Sequence, residues 1–142
     1  MGLFGKLFGS KPQYEPLPDD SEAARQLESL REPLVSFAGQ TSDDLELVPA
    51  DREGFIFIGS PPKRFGIVWI DSDGKINNFK TLAGEKGVSA ARLQDLVQEL
   101  SRVYQASSGV TRYSTSLEGR PLTVTPNSEL AARLRQVIDA AG

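Results

Sequence analysis

Four large apolar residues near the start of the chain, Leu3, Phe4, Leu7 and Phe8, recur at i, i+1, i+4 and i+5, with Lys6 among them and Lys11 just beyond. That spacing puts them on one face of a helix. The chemistry it offers is docking: apolar side chains for an acyl layer or a partner's groove, and ammonium groups for anionic headgroups. Gly2, Gly5 and Gly9 each oppose helix formation by ~1 kcal/mol, and so short a piece does not hold a helix alone in water. Residues 1–18, with Pro12, Pro16 and Pro18 closing them, therefore read as a flexible tail and linker. In one reading Leu3, Phe4, Lys6, Leu7 and Phe8 dock on a membrane surface or a protein partner. In the plainer one they fold back on their own domain or fray. Gly2 does not predict myristoylation, because that signal wants Ser or Thr at position 6, where Lys6 stands.

Other candidates carry less chemistry. Lys63 and Arg64 follow Pro61-Pro62 in a loop and could contact an anion or an acidic partner; solvated charge explains them as well. Asp71-Ser72-Asp73-Gly74 opens like a calcium loop, but Lys75, Ile76 and Leu82 stand where that loop needs a ligand, a glycine and a bidentate acid. A hairpin turn accounts for it. Gly84-Glu85-Lys86-Gly87 precedes a predicted helix, lacks the length and Gly-Lys-Ser/Thr ending of a phosphate loop, and reads as a plain loop. Arg112, Glu118 and Arg120 are placed to pair across a late hairpin. No residue is assigned a catalytic, cofactor-binding or metal-binding role.

Composition narrows the classes further. There is no histidine and no cysteine. Ser-His-Asp and Cys-His catalysis are excluded, and so are His- and Cys-ligated metals. Carboxylate, Lys, Tyr or Ser-Lys chemistry stays open. The net charge of −3 is not that of a nucleic-acid binder. A chain of 142 residues can bury one sizeable core. No apolar run approaches the ~20 residues that span a bilayer, and the early residues lack a signal peptide's apolar stretch. The expected location is cytoplasmic, with peripheral attachment to a membrane.

The elements that must position these groups follow from pattern. A helix starts at Asp20 or Ser21, both good caps, and carries Ala23, Leu27, Leu30, Leu34 and Phe37; Pro33 predicts a kink or break, and Gly39 a stop. Leu45–Val48 is a short strand. Gly54–Ile58 and Phe65–Ile70 are apolar on consecutive residues, as central strands covered on both faces are. Asp73-Gly74 predicts a hairpin pairing Phe65–Asp71 with Lys75–Lys80. A helix over Ser89–Ala106 presents Leu93, Leu96, Val97, Leu100, Val103 and Tyr104. Strands at Val110–Thr115 and Pro121–Thr125 precede a last helix capped by Thr125 and lined by Leu130, Leu134, Val137 and Ile138.

The expected fold is α+β: an antiparallel sheet of five to six strands packed with three helices, in the order α-β-β-β-β-α-β-β-α, forming a single domain over residues 19–142. That order is similar to the order of elements in the small acidic chaperones of type III secretion, a resemblance that covers most of the folded part and implies a homodimer with a protein partner. The doubly apolar strands also predict a homodimer if the helices do not cover them. The functional expectation is a small non-catalytic binding or adaptor domain with an apolar-basic docking segment. The alternative is a small-molecule-binding domain, or a carboxylate/Lys enzyme, with a pocket between sheet and helices.

Overall fold

A computed structural model describes residues 14–61 and 63–141. In chain order the described elements are β1 (Glu15–Pro16), α1 (Glu22–Ala38), β2 (Leu45–Ala50), β3 (Glu53–Ser60), β4 (Arg64–Ile70), β5 (Ile76–Asn77), α2 (Phe79–Glu85), α3 (Ala90–Ala106), β6 (Tyr113–Leu117), β7 (Arg120–Val124) and α4 (Ser128–Ala141). The strands form one sheet in the order β1-β6-β7-β2-β3-β4-β5. β1 runs parallel to β6, and β2 runs parallel to β7. The remaining pairs are antiparallel.

The architecture is α+β, but the expected antiparallel sheet with three helices is corrected on three counts: the sheet is mixed, it has seven strands, and a fourth helix is present among the described residues. The physical reason lies in the long excursion between β2 and β7. A chain that leaves β2, builds β3 to α3, and returns through the β6–β7 hairpin can lay β7 beside β2 in the same direction. Parallel pairing needs such a crossover. An apolar run reports that both faces are covered and is silent on a neighbour's direction. The element order behind the likeness to secretion chaperones is likewise not the observed one.

The extra helix replaces a predicted strand end. β5 stops at Asn77, paired with Trp69, instead of running to Lys80. Asn78 then caps α2: its side chain accepts from the Thr81 amide, and the Thr81 hydroxyl accepts from the Asn78 amide. That reciprocal pair turns the chain into a helix. Gly84 and Glu85 close α2 instead of lying in a loop. The Asp71 turn behaves as expected. Its carboxylate accepts the Asp73 and Lys75 amides, each at 3.0 Å. Burial opposes the charge there, but those amides and the Asn77 side chain outweigh it and hold the carboxyl below its ordinary range.

Both faces of the sheet are covered within the chain. On one face α1 lays Ala23, Leu27, Leu30 and Leu34 over Leu45, Leu47, Ile56, Val68, Ile70 and Val124. On the other, α2, α3 and α4 bring Leu82, Leu96, Leu100, Leu130, Leu134 and Ile138 onto Val48, Phe55, Phe57 and Ile67. Consecutive residues of β3 and β4 thus feed opposite cores, as their pattern predicts. The cover that these two strands need on both faces comes from the chain's own helices. α1 approaches β3 so closely that a β-carbon on Gly54 would stand 2.8 Å from the Leu30 Cδ1.

α1 starts where expected, with the Ser21 hydroxyl accepting the Ala24 amide at 3.1 Å. It runs through Pro33 without a break. The carbonyl deprived of its helical donor belongs to Ser29, which is exposed, where solvent can take the donor's place. At the opposite edge β1 adds a short strand from the segment read as linker, and the Leu17 amide donates to the Ser114 carbonyl at 2.9 Å.

Candidate functional site

The densest polar constellation among the described residues is centred on Glu46. β2 alternates, so Leu45 and Leu47 enter one core while Glu46 points to the α3 side. It is only 6% exposed. Its Oε1 accepts the Tyr104 phenol at 2.6 Å. Its Oε2 accepts the Arg112 Nε at 2.9 Å and the Thr125 hydroxyl at 2.6 Å. The Arg112 Nη1 donates to the carbonyls of Ser107 (3.0 Å) and Val110 (3.2 Å), and its Nη2 to the Ser107 hydroxyl (3.1 Å). The guanidinium stands 5.1 Å from the centre of the Tyr104 ring.

Four elements meet here: β2 supplies the acid, α3 the phenol, the α3–β6 connection the guanidinium, and the residue after β7 the hydroxyl. The electrostatics follow from that packing. Burial pushes the Tyr104 phenol above its ordinary value, and the hydrogen bond and charge of Glu46 push it further. For Arg112 burial works against the charge, but the Glu46 carboxylate outweighs it and holds the guanidinium above its ordinary value. A carboxylate whose two oxygens take three donors is already committed. What the arrangement does is lock β2, α3 and β7 together.

A pH dependence follows. A phenol held protonated in the fold contributes stability that is fully present below its unfolded value of about 10 and is lost as pH rises beyond it. Tyr104→Phe should cost ~1.5–3 kcal/mol at pH 8, the worth of a hydrogen bond to a charged group. The gap to the parent should narrow above pH 10 by up to ~1.4 kcal/mol per unit. Urea titrations between pH 8 and 11 read this directly; parallel curves would dismiss it.

Sequence reading missed this cluster. Arg112, Glu118 and Arg120 were expected to pair across the late hairpin. Instead Glu118 pairs with Arg31 at 2.8 Å, and the Arg120 guanidinium donates to the carbonyls of Ala38, Thr41 and Asp43. Thr125 was read as a helix cap; the side chain that caps α4 is Asn127, which accepts the Leu130 amide at 2.8 Å. One signal was present: a single acid inside the apolar run Leu45-Glu46-Leu47-Val48. Its partners lie 58 to 79 residues away.

Two of the clefts among the described residues border groups discussed above. One of about 450 Å³ lies beyond the carboxyl ends of the parallel strands β2 and β7, lined by Gln26, Asp51, Asn127, Ser128 and Arg135 among others. Its polar groups are largely tied to one another or to neighbours. Gln26 donates to Asp51 at 3.1 Å, Arg135 pairs with Glu53, and Asn127 is occupied as the cap. The second, of about 210 Å³, is bounded by Tyr14, Glu46, Gly59, Ser60, Pro61, Tyr104 and Thr123. Lys63 and Arg64 stand just past it, both exposed. Leu3, Phe4, Lys6, Leu7 and Phe8 lie outside the described residues.

Fold and sites together define a three-layer α/β/α domain with a mixed sheet, closed around a buried carboxylate–guanidinium lock. No protein-family model matches the chain, and neither a curated protein nor a solved structure matches it. No described helix is long and apolar enough to cross a membrane.

Proposed function

We propose that this chain is a non-catalytic binding domain that attaches peripherally to an anionic membrane surface through Leu3, Phe4, Lys6, Leu7 and Phe8. The observation that supports the reading is the pattern of those residues: two Leu-Phe pairs four apart, interrupted by lysine, ahead of a proline-bearing linker. Four such side chains offer ~6–10 kcal/mol gross on burial, and each lysine adds ~1 kcal/mol near anionic lipid. Helix formation and ordering consume much of that. The surplus suits reversible attachment, which leaves the folded part free to engage other molecules. The alternative of a small-molecule-binding domain or carboxylate enzyme draws less support. Most polar groups along the larger cleft are engaged with one another or with neighbours, and Glu46 is committed to three donors.

The test is sedimentation with vesicles containing about a third phosphatidylglycerol, at a charge density that draws ~1 kcal/mol per basic residue. The full chain is compared with a variant carrying Leu3→Ser, Phe4→Ser, Leu7→Ser and Phe8→Ser. The parent should bind and the variant should lose at least tenfold in partitioning. Equal partitioning of the two removes the reading.

A further inference from the structure

One flank of α4 borders two clefts. Ser128, Ala131, Ala132 and Arg135 line the cleft of about 450 Å³, and Arg135, Ile138 and Asp139 line another of about 210 Å³. Those positions recur at i, i+3, i+4, i+7, i+10 and i+11, which is a single side of a helix. The clefts meet at Arg135 and form one groove along α4. From Ser128 to Asp139 it runs about 16 Å, at the usual helical rise. The facing wall is the end of the sheet. Ala50 and Asp51 supply it beside the first cleft, and Glu53, Phe55, Trp69 and Asp71 beside the second. Phe55 and Trp69 are register partners on neighbouring strands, and both pack on the α4 side of the sheet. With Ile138 they make this end of the groove apolar, and Trp69 is only half-buried there.

Acids dominate this groove. Glu22, Asp51, Glu53, Asp71 and Asp139 line it against one base, Arg135, which answers Glu53. Asp51 accepts a neutral amide from Gln26, and Asp71 is held by neutral amides. Neither Glu22 nor Asp139 has an ion pair with a described residue. Close by in sequence, Asp19, Asp20 and Asp73 are matched in number by Arg25, Arg52 and Lys75. Five acids less one base therefore leave an excess of four negative charges. The carboxylates are spread along the groove, and no group of three described residues is set to hold a metal ion. We infer that the groove receives an extended segment of a protein partner, with several lysines or arginines along it and one apolar side chain for the wall of Phe55, Trp69 and Ile138. About five residues of extended chain, at ~3.3 Å each, cover its length. Charge complementarity selects this occupant, because spaced cations meet spaced carboxylates. A nucleic acid or an anionic bilayer would be repelled here. The tail plays no part in the inference, which stands or falls apart from the membrane reading.

The experiment titrates the full chain with three sets of eight-residue peptides and follows the emission of Trp69, the chain's one tryptophan. Each set carries a single leucine or phenylalanine, placed in turn at every position. The other positions alternate serine with lysine in the first set, with glutamine in the second and with glutamate in the third. The best lysine peptides should bind about tenfold or more tightly than their glutamine counterparts, the usual worth of three or four exposed charge pairs, and the glutamate peptides should not bind. Asp51→Asn with Asp139→Asn should weaken the lysine peptides about 3- to 10-fold, and the loss should shrink in ~0.5 M salt, where screening shortens to a few ångströms. Both residues are exposed, so the variant leaves the core intact. A control pair, Glu32→Gln with Asp95→Asn, removes the same charge from exposed positions outside the groove and should change binding less than twofold. An equal loss in the control overturns the inference, because attraction would then follow net charge alone. So does equal binding, or none, by the lysine and glutamine sets. Spermine is the last arm: a response equal to that of the best lysine peptide overturns the peptide segment in favour of a small polycation.

Discussion

Replacing Arg112 by methionine is expected to destabilise the domain by about 3–5 kcal/mol, because it strips the partner from a carboxylate that is largely shielded from water. The side chains of Arg112 and Glu46 are each only 8% exposed. In the variant the Tyr104 phenol and the Thr125 hydroxyl remain, but neither carries charge. Small domains have a total stability of roughly 5–15 kcal/mol, so this one substitution should remove a large share. The diagnostic companion is the double variant Glu46→Leu with Arg112→Met. Removing both charges exchanges a buried ion pair for apolar packing, a change that is often close to neutral. The double variant should therefore be more stable than Arg112→Met alone. Urea titrations with unchanged slope read both. A loss below ~1 kcal/mol for the single variant would show that Glu46 finds other solvation.

Phe57→Ala should be comparably severe, at about 3–5 kcal/mol, through lost apolar contact and the cavity left behind. Its ring is fully buried. It stands 5.5 Å from the Phe65 ring and meets the Tyr104 ring edge-on at 4.9 Å. The second contact matters more than its area, since Phe57 is the wall against which Tyr104 is set to reach Glu46. The losses in Phe57→Ala and Tyr104→Phe should therefore not add; side chains in contact couple by ~0.5–3 kcal/mol. Strict additivity in a double-mutant cycle would separate the aromatic packing from the polar lock.

How far the sequence foretold this molecule depends on how local each signal was. The strands around Phe55–Ile58 and Phe65–Ile70 were legible because two-faced burial leaves an unbroken apolar run, and each run does feed two cores. α3 was legible through its apolar stripe, and Ser89, read as its first residue, stands as its cap. α2 was not: seven residues with one buried side chain, Leu82, give no periodicity to read. Its true signal was the Asn78–Thr81 box, in which asparagine and threonine fill places more often held by serine and glutamate. β1 is two residues long and includes a proline, so nothing in its pattern marks a strand. The Glu46 cluster was illegible for a different reason. Each of its members has an ordinary local explanation, and only the crossover that sets β7 beside β2 brings them together.

That crossover also shapes how the molecule must be made. Glu46 registers with Thr123, and Leu47 with Val124, so the middle of the sheet joins segments separated by more than half the chain. Contacts so distant in sequence are slow to close. During synthesis the β2–β3–β4 meander emerges long before β7, and until then the apolar flank of β2 stands open to any other strand. The step most exposed to aggregation is therefore the wait for the β6–β7 hairpin, and a chain cut short before Arg120 would wait indefinitely.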